Sequence, residues 1–153
     1  MQMSFNGAPE IRAPRELVWR SLLDPKVVAA SAPAIEKVDE IDDTHFAVVA
    51  ALGIGALKLR FTLNAELFDK VELQSAKMRM RGKAPGSTVD TTMSFLIEDA
   101  GPGVVLLKWQ ADAQVGGTVA SVGARLLQGT ARRLAEEFWR DFADSVTKAA
   151  QTG

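Results

Sequence analysis

The sequence predicts an α+β protein in which a curved antiparallel sheet of about seven strands wraps around one long C-terminal helix, with two short helices after the first strand. Three observations support this fold class. Apolar and polar residues alternate through most of residues 35–115, as in half-buried strands. Short turns separate these segments, and short connections favour antiparallel pairs. Beyond Gly117 the apolar residues recur at helical spacing.

The early elements follow from local signals. Residues 1–7 alternate apolar and polar side chains, which predicts a first strand with one buried face. Pro14 suits the first position of a helix, because its missing N–H would be unpaired there in any case. Asp24 is the expected N-cap of a second short helix, and Pro33 is expected to end it. A shift in the alternation near Ser75 predicts a bulge that curves the sheet.

The final helix is predicted to begin at the glycine pair 116–117 and to run to about Ala149. Its first half is rich in glycine and alanine, whereas its second half carries bulky aromatics. An interior glycine costs a helix about 1 kcal/mol relative to alanine, so Gly123 and Gly129 require a reason. Two explanations are open: close backbone packing, or a cavity for an apolar ligand between helix and sheet. The predicted apolar face comprises Val119, Leu126, Thr130, Leu134, Phe138, Phe142 and Val146.

Composition bounds the class of protein. A chain of 153 residues predicts a single domain, residues 1–153. Its formal net charge of −1, with acids and bases interleaved along the final helix, does not favour nucleic acid as a partner. The absence of cysteine excludes disulfides, thiolate metal sites and cysteine nucleophiles, and a reducing cytoplasm is expected. No signal peptide and no membrane-spanning run is expected.

Several local motifs resemble the family of the carbon monoxide dehydrogenase G subunit, which belongs to the Bet v 1/START-like (SRPBCC) superfamily of helix-grip folds. These motifs are Ala13-Pro14-Arg15-Glu16-Leu17-Val18-Trp19 with Asp24-Pro25, then Gly86-Ser87-Thr88, and Val115-Gly116-Gly117 followed by Gly123-Ala124-Arg125-Leu126 and Thr130-Ala131-Arg132-Arg133-Leu134-Ala135. The resemblance covers essentially the whole chain. It implies a cavity for a hydrophobic small molecule, with a quinone or another lipid as ligand. We expect a non-catalytic carrier that binds this molecule without transforming it and has no covalently bound cofactor. The resemblance also implies a supporting role toward a molybdenum-containing dehydrogenase, in the cytoplasm or at the inner face of the membrane.

Groups that could perform catalysis are few. The chain has one histidine, no cysteine and no tyrosine. His45 follows an acidic turn and is expected to be an exposed turn residue, because a general base would need a placed partner and a concave site. A lone histidine among scattered carboxylates has no recognised metal-ligand spacing. No catalytic residue and no metal ligand is therefore assigned.

Strand alternation assigns one set of side chains to the sheet face that looks at the helix. Plain core packing is the alternative for these residues, but methionine also adapts to irregular apolar ligands. Together with the glycine-rich helix start, they predict a ligand-binding cavity. The sheet residues are Phe61, Leu63, Met78, Met80, Met93, Phe95, Trp109 and Ala111, and the helix residues are Gly123, Leu126, Leu127 and Thr130.

One hairpin tip is apolar where tips are normally polar. Leu52, Ile54 and Leu57 surround it. Such a tip can dock on a membrane or a partner protein, or it can fold back onto its own domain.

Two functions of other classes stay open. A cyclase or dehydratase of the same superfamily would need a carboxylate or hydroxyl inside the cavity, and the nearest candidates are Glu66, Thr91 and Asp112. By alternation Glu66 and Asp112 point outward, which weakens this interpretation. The other alternative is a ligand-free adaptor that holds a redox enzyme or recruits it to a membrane.

Overall fold

The computed structural model describes residues 1–32 and 34–152. Its order is β1 (Gln2–Gly7), β2 (Glu10–Ile11), α1 (Arg15–Leu22), α2 (Pro25–Ala30), β3 (Ile35–Glu40), β4 (His45–Ile54), β5 (Leu57–Val71), β6 (Ser75–Ala84), β7 (Ser87–Asp99), β8 (Val105–Gly117), a 3-10 helix (Thr118–Val122) and α3 (Ala124–Thr152). The predicted fold class is confirmed. The expected end of α2 at Pro33 lies outside the described residues.

All eight strands form one antiparallel sheet in the order β1-β8-β7-β6-β5-β4-β3, with the short β2 also on β8. The long strands β5, β7 and β8 alternate between exposed residues and residues that face α3. The parity shift predicted as a bulge near Ser75 is instead the turn between β5 and β6. The irregularity in the ladder lies earlier, between Phe68 and Val71, where Asp69 has a φ of 49°.

Side chains at their N-terminal ends fix the two short helices. Asp24 caps α2 as predicted, because its Oδ1 accepts a hydrogen bond from the Lys26 backbone N–H at 2.9 Å. Arg15, at the start of α1, donates to the carbonyls of Leu73 at 2.7 Å and Ile97 at 2.8 Å. Its guanidinium also pairs with Asp99 at 3.0 Å. Arg15 therefore ties α1 to the turn after β5 and to the end of β7.

The glycine pair does not start the long helix. Strand β8 continues through Gly117, which pairs with Ser87 of β7, and α3 begins only at Ala124. A Cβ on Gly117 would overlap the carbonyl oxygen of Gly86, so close backbone packing explains this glycine. Gly123 has a φ of 103° and separates the 3-10 helix from α3, so it is not an interior helix residue. The helix ends at Thr152, slightly beyond the predicted Ala149.

The 3-10 helix is held by the hairpin between β6 and β7. Thr118 N donates to Gly86 O at 2.8 Å, and Val119 N donates to the buried Ser87 Oγ at 2.9 Å. Val119 itself is 1% exposed. The segments around Gly86 and Gly117 therefore pack directly against each other, and we call this contact the Gly86–Gly117 corner. No helix in the described part of the chain is long and apolar enough to cross a membrane.

Candidate ligand-binding site

A row of partly exposed side chains crosses the middle of the concave sheet face. Along β5, Leu63 is partly exposed although its inward neighbours Phe61 and Ala65 are buried. Along β6, Met80 is partly exposed between the buried Met78 and Gly82. On β7 and β8 the partial exposure covers consecutive inward positions, which are Val89, Thr91 and Met93 on β7 and Ala111 and Ala113 on β8. We call this row the central stripe, and it consists of Leu63, Met80, Thr91, Met93 and Ala111.

The stripe is a continuous strip rather than a set of separate positions. Strand pairing sets Met80 beside Thr91, and Met93 beside Ala111. Directly paired residues lie on the same face of an antiparallel sheet. Leu63, Met80, Met93 and Ala111 point toward α3 and keep partial exposure, so α3 does not cover them completely. We call the incompletely covered region between the stripe and α3 the hollow.

Helix α3 presents a matching row of small and partly exposed residues. Ala131, Leu134, Ala135 and Phe138 are all partly buried, and all but Leu134 pack against the core clusters of the sheet. Two of these four side chains are single methyl groups. These methyl groups fill less of the hollow than the aromatic side chains farther along α3 would fill.

Aromatic rings close one end of this hollow. The Trp139 ring stacks on Trp109 with ring centroids 5.5 Å apart and meets Phe95 edge-on at 5.8 Å. Phe138 and Phe142 contact Trp139 edge-on at 4.8 Å and 5.7 Å. Edge-to-face and offset-stacked pairs at these distances are favourable beyond the area they bury. We call these five residues the aromatic cluster.

A second apolar group closes the other end. We call it the tip cluster, and its buried members are Met3, Ile54, Phe61, Val115, Val119 and Leu127. Leu63 of the stripe packs against both the tip cluster and the larger core to which Phe95, Trp109, Trp139 and Phe142 belong.

The apolar hairpin tip contributes to this second group. Ile54 is only 4% exposed and Leu52 packs against the tip cluster, so the tip folds back onto its own domain at these residues. Leu57 is partly buried. The surface exposure that docking through Ile54 would require is therefore missing.

The twelve residues predicted to bind a ligand lie in four different regions of the structure. Leu63, Met80, Met93 and Ala111 lie in the stripe. Phe95 and Trp109 lie in the aromatic cluster, with Met78 buried in the same part of the core; Phe61 and Leu127 lie in the tip cluster. Gly123, Leu126 and Thr130 line an outer depression of about 670 Å³ at the start of α3.

The predicted apolar face of α3 is wrong at its first turn. Leu126 is 44% exposed, whereas Leu127 is 5% exposed. Each four-residue step along a helix advances about 40° beyond a full turn, so a row built on steps of four rotates by about 200° between Leu126 and Val146. The row that faces the sheet runs instead through Leu127, Ala131 and Ala135. Sequence reasoning missed the two alanines, although their spacing from Leu127 was available as a signal.

Polar groups are sparse around the hollow. Thr91 is a hydroxyl residue of the stripe, and its side chain makes no hydrogen bond within residues 1–32 and 34–152. Glu66 and Asp112 lie on the outer face, as predicted. Asp112 accepts a hydrogen bond from Ser4 at 2.6 Å, and Glu66 lies 3.8 Å from His45.

His45 was expected in the turn, but it is the first residue of β4 and lies partly exposed on the outer face of the sheet. Its Nδ1 lies 2.9 Å from Asp42 Oδ1, and this hydrogen bond raises the pKa of His45 above its ordinary value. The Thr44 backbone N–H and then His45 hydrogen-bond the same carboxylate and lower the pKa of Asp42 to about 2. Among the described residues, no three histidine, aspartate or glutamate side chains are grouped so as to hold a metal ion.

Comparison with known protein families assigns the sequence to one of them. The family profile of the carbon monoxide dehydrogenase G subunit (CoxG) matches residues 7–147. The chain belongs to the CoxG family. The motif at the Gly86–Gly117 corner, which supports the same assignment from sequence, is thus a packing motif in this CoxG-family protein. No curated protein matches the chain.

Solved structures share the fold over nearly the full chain. A conserved protein from Geobacillus kaustophilus has a TM-score of 0.88 at 23% identity, covering 96% of this CoxG-family chain and 97% of its own. The Zhui aromatase/cyclase from a Streptomyces species has a TM-score of 0.70 at 16% identity, with coverage of 95% and 94%. A START superfamily protein from Mycobacterium smegmatis has a TM-score of 0.64 at 15% identity, with 97% of both chains covered. At these identities the likeness shows the helix-grip fold alone.

Proposed function

We propose that this protein binds a hydrophobic small molecule between the central stripe and α3 and does not transform it. The observation that carries the proposal is the partial exposure of Leu63, Met80, Met93 and Ala111, which lie on the sheet face that looks at α3. A quinone or another lipid is the ligand class, and membership of the CoxG family supports an accessory role toward a molybdenum-containing dehydrogenase.

Desolvation would supply most of the affinity. The stripe and the facing helix row offer methyl, thioether and aromatic groups, and each roughly 100 Å² of apolar ligand surface removed from water contributes about 2.5 kcal/mol before ordering costs. The two methionines of the stripe can adjust to an irregular ligand because their side chains are unbranched. Affinity should therefore follow the free volume of the hollow more than its charge.

Binding without chemistry fits the placement of the polar groups. The candidate carboxylates Glu66 and Asp112 point away from the hollow, where they cannot reach a bound molecule. An enzyme such as the aromatase/cyclase that shares this fold would need an acid or base at the reacting atoms. Thr91 offers a hydroxyl that can orient a ligand oxygen.

The test fills the hollow from the helix side. Ala135→Leu should lower the affinity for a fluorescent apolar probe at least about tenfold while the thermal midpoint stays near that of the parent, because an added side chain in free space causes little strain. Ala149→Leu makes the same substitution at an exposed position of α3 and serves as the matched control. Unchanged probe affinity in a folded Ala135→Leu protein would refute the site, and so would severe destabilisation, since it would mean that the space is already filled.

Ligand identity needs a separate experiment. Solvent extraction of the purified protein followed by mass spectrometry should recover a quinone or another lipid. Co-purification of a dehydrogenase with no extractable lipid would instead support the adaptor function.

A further inference from the structure

A depression of the surface lies where β3 turns into β4. It has a volume of about 780 Å³ and is lined by residues 19–25, at the end of α1 and the start of α2, and by residues 40–43. Antiparallel pairing puts this turn at the opposite end of the sheet from the Gly86–Gly117 corner. No residue of the central stripe lines it. We call it the turn depression.

The turn depression contains an apolar side chain that the rest of the protein leaves uncovered. Ile41 is 63% exposed, which makes it the most exposed large apolar side chain that the structure describes. The helical segment adds apolar surface, since Leu23 and Pro25 are only partly buried and Trp19 is 9% exposed. Covering such surface is favourable, because apolar groups leave water.

Hydrogen bonds hold the turn that carries Ile41. The Ile41 backbone N–H donates to the carbonyl of His45 at 3.0 Å. Asp42 Oδ1 accepts from the backbone N–H groups of Thr44 and His45, each at 2.9 Å. The exposure of Ile41 is therefore a property of a fixed turn, and little ordering entropy would be lost there on binding.

Acidic side chains dominate the rim of the turn depression. Four carboxylates and one guanidinium line it, and these belong to Asp24, Glu40, Asp42, Asp43 and Arg20. Asp24 caps α2 and Asp42 holds the turn, so both act in the fold. Glu40 and Asp43 are exposed and make no salt bridge within the described ranges. These two charges line the depression without a role in holding the fold together.

Charge selects the occupant of this surface. Like charges across an interface are costly, so four carboxylates disfavour an anionic bilayer or a nucleic acid. A two-fold dimer of this chain through the turn depression would bring two such rims together at the same cost. Within residues 1–32 and 34–152 no three acidic or histidine side chains are grouped so as to hold a metal ion.

A basic polypeptide segment matches both features of the turn depression. Ile41 lies between Glu40 and Asp42 in sequence, so an apolar side chain flanked by cations is complementary to it. The carboxylates also come from two separate segments, 19–25 and 40–43. Several cations carried on one chain can reach both segments, whereas a single small cation cannot.

We propose that the turn depression binds a basic segment of a partner protein, in which lysine or arginine side chains flank an apolar one. The apolar side chain packs on Ile41, and the cations pair with Glu40 and Asp43. This surface is separate from the hollow, and the inference does not depend on the ligand proposed above.

NMR chemical-shift mapping with a short peptide tests the proposal. The probe is the peptide Lys-Arg-Leu-Arg-Lys, titrated into the full isotope-labelled chain. Amide shifts should be confined to residues 19–25 and 40–43 and their neighbours, and binding should weaken as salt rises above ~0.15 M. A peptide with serine in place of leucine should bind at least about fivefold more weakly, because it buries less apolar surface.

Two variants separate the apolar and the charged contributions. Ile41→Ser should weaken peptide binding about tenfold, since most of this side chain is exposed and leaves water on binding. Glu40→Gln/Asp43→Asn should also weaken it about tenfold, because each exposed ion pair contributes up to about fivefold. All three residues are exposed, so the thermal midpoints should stay near that of the parent.

A charge-matched variant on α3 provides the control. Glu136 and Asp144 are exposed and do not line the turn depression, so Glu136→Gln/Asp144→Asn should leave peptide binding near the parent level. Equal losses in both double variants, equal affinity for the serine peptide, shifts spread over the whole surface, or no shift at millimolar peptide would overturn the proposal.

Other occupants give different results in the same experiment. Shifts of residues 19–25 and 40–43 that depend on protein concentration without peptide would overturn the proposal and assign the surface to a second copy of the chain. Equal affinity for arginine methyl ester would overturn it in favour of a small cation. Apolar-probe binding in the hollow should be the same in Ile41→Ser and the parent, which separates this result from failure of the ligand site.

Discussion

Three glycines near the start of α3 should respond to the same substitution in three different ways. Gly117 and Gly123 have φ angles of 82° and 103°, with ψ angles of −152° and 146°. These conformations lie in or close to a region that essentially only glycine adopts, and strain there costs about 1–3 kcal/mol. Gly129 lies inside α3 and has no atom near the position of an added Cβ.

The structure predicts a different change in the free energy of unfolding for each of the three substitutions. Gly123→Ala should cost about 2 kcal/mol from backbone strain alone, because nothing lies within 4 Å of the new Cβ. Gly117→Ala should cost about 4 kcal/mol, since the Cβ also displaces Gly86 O and weakens the Thr118 and Val119 hydrogen bonds, each contributing about 1 kcal/mol. Gly129→Ala should stabilise the protein by about 1 kcal/mol.

Urea unfolding followed by far-ultraviolet circular dichroism gives the three free energies of unfolding. The reasoning depends on their order rather than on any single value. Equal destabilisation by Gly117→Ala and Gly123→Ala would refute the claimed close approach to Gly86. A destabilising Gly129→Ala would show that this position faces something other than solvent.

Three further outcomes are expected. Gly7→Ala should destabilise the protein by about 2 kcal/mol and alter its near-ultraviolet dichroism, because the new Cβ would lie 2.7 Å from Trp109 Nε1; an unchanged spectrum would contradict this packing. Thr91→Val should weaken binding of apolar probes that carry a carbonyl by about 1 kcal/mol and leave pure hydrocarbon probes unaffected; equal effects on both would exclude a hydrogen bond. Asp42→Asn should return the pKa of His45 toward its ordinary value in an NMR titration. Because folding raises that pKa, the stabilisation by this pair is complete below the unfolded value and is lost as pH rises through the folded one.

The alternation of apolar and polar residues predicted the sheet well because successive side chains of a strand point to opposite faces. Alternation alone was enough to place Leu63 and Met93 toward the helix and Glu66 toward solvent. It could not say which inward residues touch protein on every side, because that depends on the helix across the hollow. Met78 and Met80 follow the same pattern, yet only Met78 is buried.

The start of the long helix was wrongly predicted because a glycine pair carries the same local signal at a turn and in a strand. The pairing of β8 with β7 decides between them, and that contact is remote in sequence. The role of Gly86 was equally hidden, since its backbone oxygen is what excludes a side chain at Gly117. Resemblance to a family identified both motifs without showing that they touch.

The tryptophans of the aromatic cluster make intrinsic fluorescence a reporter of the protein interior. The chain has no tyrosine, and its three tryptophans, Trp19, Trp109 and Trp139, are at most 9% exposed. Intrinsic ultraviolet emission therefore arises wholly from the interior, and a redox-active ring lodged beside the stacked indoles would quench it by electron transfer. Occupancy can thus be followed in the unlabelled protein and in the presence of any partner that itself lacks strong emission.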